Sequence, residues 1–291
     1  MTENGSHLVQ IGDRLITYDA PVGTTSDSGK TVLFVHGTSF NRGIWSAVVH
    51  HLAQSHHPIA IDNPGHGGSS LPAIGTIDEG VALLKQFHDT LGLTEIVLIG
   101  HSMGGALAQS YYNHYPADVA ALGLVSTAPR FHLDPEMVQR WLADPAAYRM
   151  EEMVRIVAPT APESVKGALF HMRDTTTPGG QRNDLLACTT WNNEDKSLDI
   201  HVPTLAVTAE YDREYFQQSA AMWAEKLPNA ELVSIQDAGH MMMLEKPAEF
   251  IEALCSWLSR LSTGPIPTTT RCSPAPDKGV RHGAAVSESP W

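Results

Sequence analysis

Cysteine is nearly missing from this chain. Cys188, Cys255 and Cys272 form an odd, widely spaced set in 291 residues, with no C-x-x-C pair. Free thiols are therefore expected, not a disulfide framework or a thiolate metal site. Basic residues are scarce as well: 19 Lys and Arg stand against 32 Asp and Glu, giving a formal net charge of −13 and a pI near 5.5. That sign argues against a dedicated nucleic-acid binder or a protein that coats anionic membranes. No apolar run reaches the ~20 residues of a membrane span. The segment Met1–His7 is polar and acidic where a signal peptide is basic and then apolar, so a cytoplasmic location is the expectation. Histidine is plentiful, at 15 residues. However, His50-His51 and His56-His57 are adjacent pairs and no H-E-x-x-H occurs, so neither a catalytic metal nor a cofactor is expected.

What is present is alternation. Leu8–Ile11 and Arg14–Tyr18 flank Gly12-Asp13 and predict an antiparallel hairpin. Uniformly apolar runs follow at Thr31–Val35, Pro58–Ile61, Ile96–Ile99 and Ala121–Val125, as buried parallel strands require. Between them, Ile77–Leu91 is amphipathic and ends at Gly92, and Met103–Tyr115 ends at Pro116. From about Arg130 to Leu198 the strand pattern gives way to helical segments at Pro135–Leu142, Ala146–Val157, Glu163–Met172 and Asn183–Trp191, which read as an inserted helical cap. Strands resume at Thr204–Thr208 and Glu231–Ile235, and a last helix spans Ala248–Leu261. The segment 262–291 is rich in Pro, Thr, Ser and Gly without a period and reads as a disordered tail. The fold class is α/β, with a core of residues 1–129 and 199–261 and a cap at 130–198.

The chemistry centres on Gly100-His101-Ser102-Met103-Gly104, a G-x-S-x-G sequence between an apolar strand and a helical pattern. Small neighbours let the backbone turn sharply there and present the Ser102 hydroxyl as a nucleophile. A bland alternative makes Ser102 a simple helix cap. Serine needs a base in contact with it and an acid to orient that base. His240 and Asp212 follow the last two strands, in the chain order Ser, Asp, His. Glu210 and Glu214 are rival acids, Asp212 could instead cap the helix that starts near Glu214, and His240 could be a buried core histidine. The Met241-Met242-Met243 run reads as core filling or as a plastic pocket wall, with the pocket favoured.

Four blocks in order resemble the α/β-hydrolase superfamily over roughly Gly12–Leu261. They are Val35-His-Gly-Thr38 with Trp45 downstream, Asp62-Asn-Pro-Gly-His-Gly-Gly-Ser69, Gly100–Gly105, and Gly239-His240 followed by Glu245-Lys-Pro247. The similarity is to the branch of small carboxylesterases, enol-lactonases, carbon–carbon bond hydrolases and cofactor-free haloperoxidases. It implies a mostly parallel sheet with helices on both faces. Ser102 becomes the nucleophile, His240 the general base and Asp212 its orienting acid, and the backbone N–H groups of Thr38 and Met103 become the oxyanion hole. Ala209 departs from the glycine common in relatives. His36 is expected to support the oxyanion loop, and the Asp62–Ser69 loop to be structural. Phe40, Trp141, Phe170, Trp191 and Met241 are candidate substrate-pocket residues.

A serine nucleophile argues against dehalogenase and epoxide-opening chemistry, which relatives perform with aspartate at this position. Met241 stands where hydroxynitrile lyases have lysine. The resemblance therefore implies hydrolysis of a small, mostly apolar ester or lactone through an acyl-enzyme, with activity falling in acid as the catalytic imidazole takes up a proton. Carbon–carbon bond hydrolysis and perhydrolysis remain alternatives on the same residues. A non-catalytic small-molecule receptor is the alternative of another class.

Overall fold

The computed structural model describes residues 5–21, 29–144, 151–152 and 155–261. The predicted tail at 262–291, together with Cys272, lies outside them, as does much of the predicted helix Ala146–Val157. The chain opens with β1 (Ser6–Ile11) and β2 (Arg14–Asp19), paired antiparallel with Ile11 opposite Arg14. Gly12, at φ +59, takes the first position of the two-residue loop, where a positive φ matches the twist of the strands.

Strand and helix then alternate: β3 (Thr31–Val35), α1 (Ser46–Leu52), β4 (His57–Ile61), α2 (Ile77–Thr90), β5 (Ile96–His101), α3 (Met103–His114) and β6 (Val119–Val125). Three described helices follow without strands: α4 (Pro135–Ala143), α5 (Glu163–Asp174) and α6 (Pro178–Thr190). The chain re-enters the sheet with β7 (Thr204–Ala209), α7 (Glu214–Lys226) and β8 (Ala230–Ile235), and ends with the short α8 (Met242–Glu245) and α9 (Pro247–Arg260). The helix α6 starts five residues before the sequence-predicted position. Thr177 accepts the N–H of Gly180 as a cap and Pro178 occupies the first turn, a start signal that outweighs the paired glycines 179 and 180.

The eight strands lie in the order β1-β2-β4-β3-β5-β6-β7-β8. Every pair from β4 to β8 is parallel, so the fold is that of an α/β hydrolase with an antiparallel N-terminal pair. Side-chain alternation sorts the core into two layers. Leu33 and Val35 face the layer built with α2, α3 and α7, whereas Val32 and Phe34 face the layer of α1 and α9. Each buried Leu, Ile, Val or Phe in these layers contributes roughly 1.5–3 kcal/mol of transfer free energy, which is why the central strands carry almost no polar side chains.

The strand order also places the site. Chain progression passes from β3 to β4 on one side and on to β5 on the other, so β3 and β5 flank the point where the winding direction reverses. Their loops diverge at the carboxyl ends and leave a crevice there. The loops after β7 and β8 emerge at the same end because those strands run parallel to β5.

Candidate active site

Ser102 sits between β5 and α3 with φ 54° and ψ −118°, a region that side-chain-bearing residues occupy only when held there. Its N–H donates to Val125 (3.0 Å), and its carbonyl accepts from Gly105 N–H and the Thr127 hydroxyl (both 2.8 Å). The side chain makes no capping hydrogen bond, so the helix-cap reading does not account for the hydroxyl. The surrounding glycines are required by contact. A methyl on Gly100 would lie 2.1 Å from the Gly104 carbonyl oxygen, one on Gly104 2.3 Å from that of Val35, and one on Gly105 2.4 Å from Thr127. Gly104→Ala is accordingly expected to cost about 1–3 kcal/mol through overpacking, read as a lower urea midpoint with an unchanged slope.

His240 and Asp212 are both buried and meet at 3.0 Å through Nδ1 and Oδ1. An imidazole nitrogen facing a carboxylate carries the proton, which leaves the Nε2 lone pair available. Burial pushes Asp212 up, but the His240 beside it and the hydrogen bonds it accepts outweigh that and hold it below the usual carboxylate range. One of those bonds comes from Arg213 N–H (2.8 Å). The rival acids are engaged elsewhere: Glu210 accepts the Asp237 N–H (2.9 Å) and Glu214 accepts from Gln218 (2.8 Å). The His240 loop is braced by Glu245, whose buried carboxylate accepts the N–H groups of Ala158, Gly239 and Met241. His101 supports it from below by donating Nε2–H to the His240 carbonyl (3.0 Å), and Phe216 stacks on the imidazole at 5.0 Å.

The loop after β3 passes under the serine. A methyl on Gly37 would come within 2.9 Å of Ser102 Cβ, so only glycine permits this approach. His36 Nε2 accepts the N–H of Asn63 (2.9 Å), which fixes the ring proton on Nδ1, and Nδ1 donates to the Gly37 carbonyl (2.8 Å). That carbonyl belongs to the same planar peptide as the Thr38 N–H. Holding the oxygen on one side turns the N–H to the other, as a trans peptide requires. Burial first, and His66 second, lower the pKa of His36 well below its ordinary value, in keeping with a neutral ring.

Thr38, Ser39 and Ser102 line one cavity of about 90 Å³, together with Phe131, Leu133, Met137, Trp141, Leu185, Cys188 and Phe216, and with the polar side chains of His132, Glu152, Gln181, Arg213 and Tyr215. Of the five pocket residues expected from sequence, only Trp141 lines it. Phe40 is buried beneath the Arg173 guanidinium, 5.1 Å from its ring, and Phe170 packs on the α1/α9 core layer. Trp191 donates to Ser110 (2.9 Å) and faces a separate hollow of about 440 Å³, which is larger but contains none of the candidate catalytic groups. Met241, Met242 and Met243 are fully buried, so the run is core and not pocket wall. Phe40 and Met241 adjoin sequence motifs and Phe170 and Trp191 lie in the insertion, yet each side chain packs into a core layer or a separate hollow. Sequence reasoning missed Glu152, which lies 2.6 Å from Arg173 and 3.4 Å from Arg213. Burial raises its carboxyl but the two arginines more than offset this, so it stays ionised beside the cavity.

Fold, elbow and acid–histidine pair define a class. The chain belongs to the alpha/beta hydrolase family, whose profile matches residues 32–253. The monoacylglycerol lipase ABHD6 of Bos taurus is 27% identical over 256 residues, spanning 79% of this chain and 75% of that protein. Among solved structures, the esterase EaEST from Exiguobacterium antarcticum superposes with a TM-score of 0.79 at 22% identity, covering 87% of this chain and 98% of that one. The enol-lactonase from Burkholderia xenovorans LB400 gives the same TM-score at 18% identity, with 87% and 100% covered. At such identities the two structures speak for the shared fold. Among the described residues, no helix is long and apolar enough to cross a membrane, and no group of three or more His, Cys, Asp or Glu is placed to hold a metal ion.

Proposed function

We propose that the protein is a serine hydrolase that cleaves a small, mostly apolar carboxylic ester or lactone through an acyl-enzyme on Ser102. The observation that carries this reading is the convergence, at one end of the sheet, of a strained serine elbow, a buried Asp212–His240 pair and a glycine-floored loop presenting Thr38. His240 takes the hydroxyl proton as Ser102 attacks the carbonyl carbon. The tetrahedral oxyanion forms against the N–H groups of Thr38 and Met103, and the alkoxide leaves with the proton from His240. Water, deprotonated by the same imidazole, then releases the acid. The helical insertion between β6 and β7 acts as the cap that selects substrate, since it supplies Trp141, Met137, Glu152, Gln181, Leu185 and Cys188 to the cavity. A space of about 90 Å³ suits a short acyl chain better than a long one.

A panel of p-nitrophenyl esters and simple lactones, read alongside intact-protein mass spectrometry, tests this. The expected result is turnover that declines with acyl length and a fluorophosphonate adduct that maps to Ser102. Labelling elsewhere, or tight ligand-induced stabilisation with no turnover of any ester or lactone, would favour the receptor reading instead.

A further inference from the structure

We propose that Asp184, on helix α6 of the insertion, is a positioning residue for the oxyanion loop and makes the cap and the catalytic core a single mechanical unit. The proposal rests on Ser102 being the nucleophile. One oxygen of Asp184, Oδ2, accepts both the N–H of Ser39 and a bond from His66 Nε2, each at 2.8 Å. The side chains of Asp184 and His66 are wholly shielded from solvent. The partners are remote in sequence: Asp184 lies in the insertion, whereas Ser39 and His66 belong to the loops after β3 and β4.

The other His66 nitrogen, Nδ1, lies 3.0 Å from the Pro64 carbonyl. A carbonyl can only accept, and an ionised carboxylate can only accept, so the ring donates from both nitrogens and is held as an imidazolium. Burial disfavours the charge, but Asp184 opposite, and Asp62 further off, overcome it and raise the pKa of His66. His36, the other titratable ring facing His66, at 5.0 Å, is kept neutral by its own hydrogen bonds. The second oxygen of Asp184, Oδ1, is buried with no hydrogen-bond partner among the described residues. Both bonds that the carboxylate accepts from the two loops go through Oδ2.

The held peptide matters because of its neighbours. Ser39 has φ +62, a conformation that a serine keeps only under restraint. The Gly37–Thr38 peptide carries the Thr38 N–H and is fixed through His36. Asp184 fixes the peptide between Thr38 and Ser39 by its N–H, and the Thr176 hydroxyl reaches the Ser39 carbonyl at 3.2 Å. Three successive peptides are thus gripped from behind, two of them by residues of the insertion. Loss of one grip leaves the oxyanion donor present but loosely aimed, and misplacement on the order of 1 Å is enough to cost about 100-fold in rate.

Asp184→Asn keeps shape and one acceptor while removing the charge; Asp184→Ala removes both; Thr176→Val releases the second grip without disturbing the ion pair. Each is assayed for kcat and KM on a short p-nitrophenyl ester and for inhibition by a trifluoromethyl ketone, whose serine adduct places its oxyanion against the Thr38 N–H. The expected result is a fall in kcat of about 10- to 100-fold for Asp184→Ala, a smaller fall for Asp184→Asn, a matching loss of ketone affinity and a KM within about threefold. A folded Asp184→Asn protein with kcat and ketone affinity unchanged, or with a lower melting temperature as its only defect, overturns the proposal. If Asp184→Ala does not fold, Asp184→Asn and Thr176→Val decide it on the same readouts. Fluorophosphonate labelling of Ser102 in the parent protein reports separately on the serine reading.

Discussion

Ser102→Ala is expected to lower kcat on a short ester by about 10⁴- to 10⁶-fold while KM stays within a few-fold, because the hydroxyl is lost and the walls of the cavity are not. The scale follows from how such groups act together: without the nucleophile, the base and its acid have nothing to activate, and only oxyanion stabilisation and binding survive. Stability should barely move, since Ser102 makes no side-chain cap bond to α3 and alanine suffers the same positive φ. Ser102→Gly separates the two roles of the position. It is expected to be equally inactive yet more stable than Ser102→Ala by about 1 kcal/mol, because glycine occupies φ 54° without steric cost. Steady-state kinetics and urea unfolding on both variants check this. Residual turnover within tenfold of the parent would sink the nucleophile assignment, and equal stability of the two variants would show that the elbow stores no strain.

The sheet was readable because its determinants are local. Short, uniformly apolar runs such as Val32–Val35 and Ile96–Ile99, alternating with amphipathic segments, mark buried strands, and G-x-S-x-G announces its own turn because the clash distances around Gly100, Gly104 and Gly105 permit little else. The pairing of Asp212 with His240 was readable only through chain order, yet the geometry brings them together and sends Glu210 and Glu214 to other partners. What the sequence hid is of a different kind. Asp184 and Glu152 are single carboxylates in helical segments, where a solvated face is the default reading, and their partners lie 145 and 21 residues away. No periodicity encodes such a contact. Most of the pocket candidates failed for a related reason: Phe40 and Met241 adjoin motifs, but which way a side chain turns depends on the layer its backbone enters. Trp141 was reached only because α4 presents it inward.

Acid should begin to destabilise this protein well before its carboxylates are neutralised, and His101 is a principal cause. Its ring is fully enclosed, donates to the His240 carbonyl and is lowered to about 3, by burial first and by His240 second. In the unfolded chain a histidine takes up its proton near 6.5. Between those values the unfolded state binds a proton that the native state refuses, so the contribution to stability is present above pH 6.5 and is lost as pH falls toward 3, at about 1.4 kcal/mol per pH unit and about 5 kcal/mol in full. His36, lowered by burial and by His66, acts in the same direction. Asp212 adds its share only at lower pH, because its depressed value protects the native state until the pH drops below the ordinary carboxylate range. His66 has the opposite sign: its raised value contributes stability that is complete below 6.5 and fades as pH rises through it. The test is urea unfolding from pH 7 to 4 on the parent and on His101→Gln, in which an amide can still donate to the His240 carbonyl but cannot titrate. Stability of the variant should fall with pH by about one proton less than that of the parent, a slope smaller by about 1.4 kcal/mol per unit. Identical slopes would mean that the proton taken up on acid unfolding belongs to other groups and that the His101 ring opens to solvent in the native state.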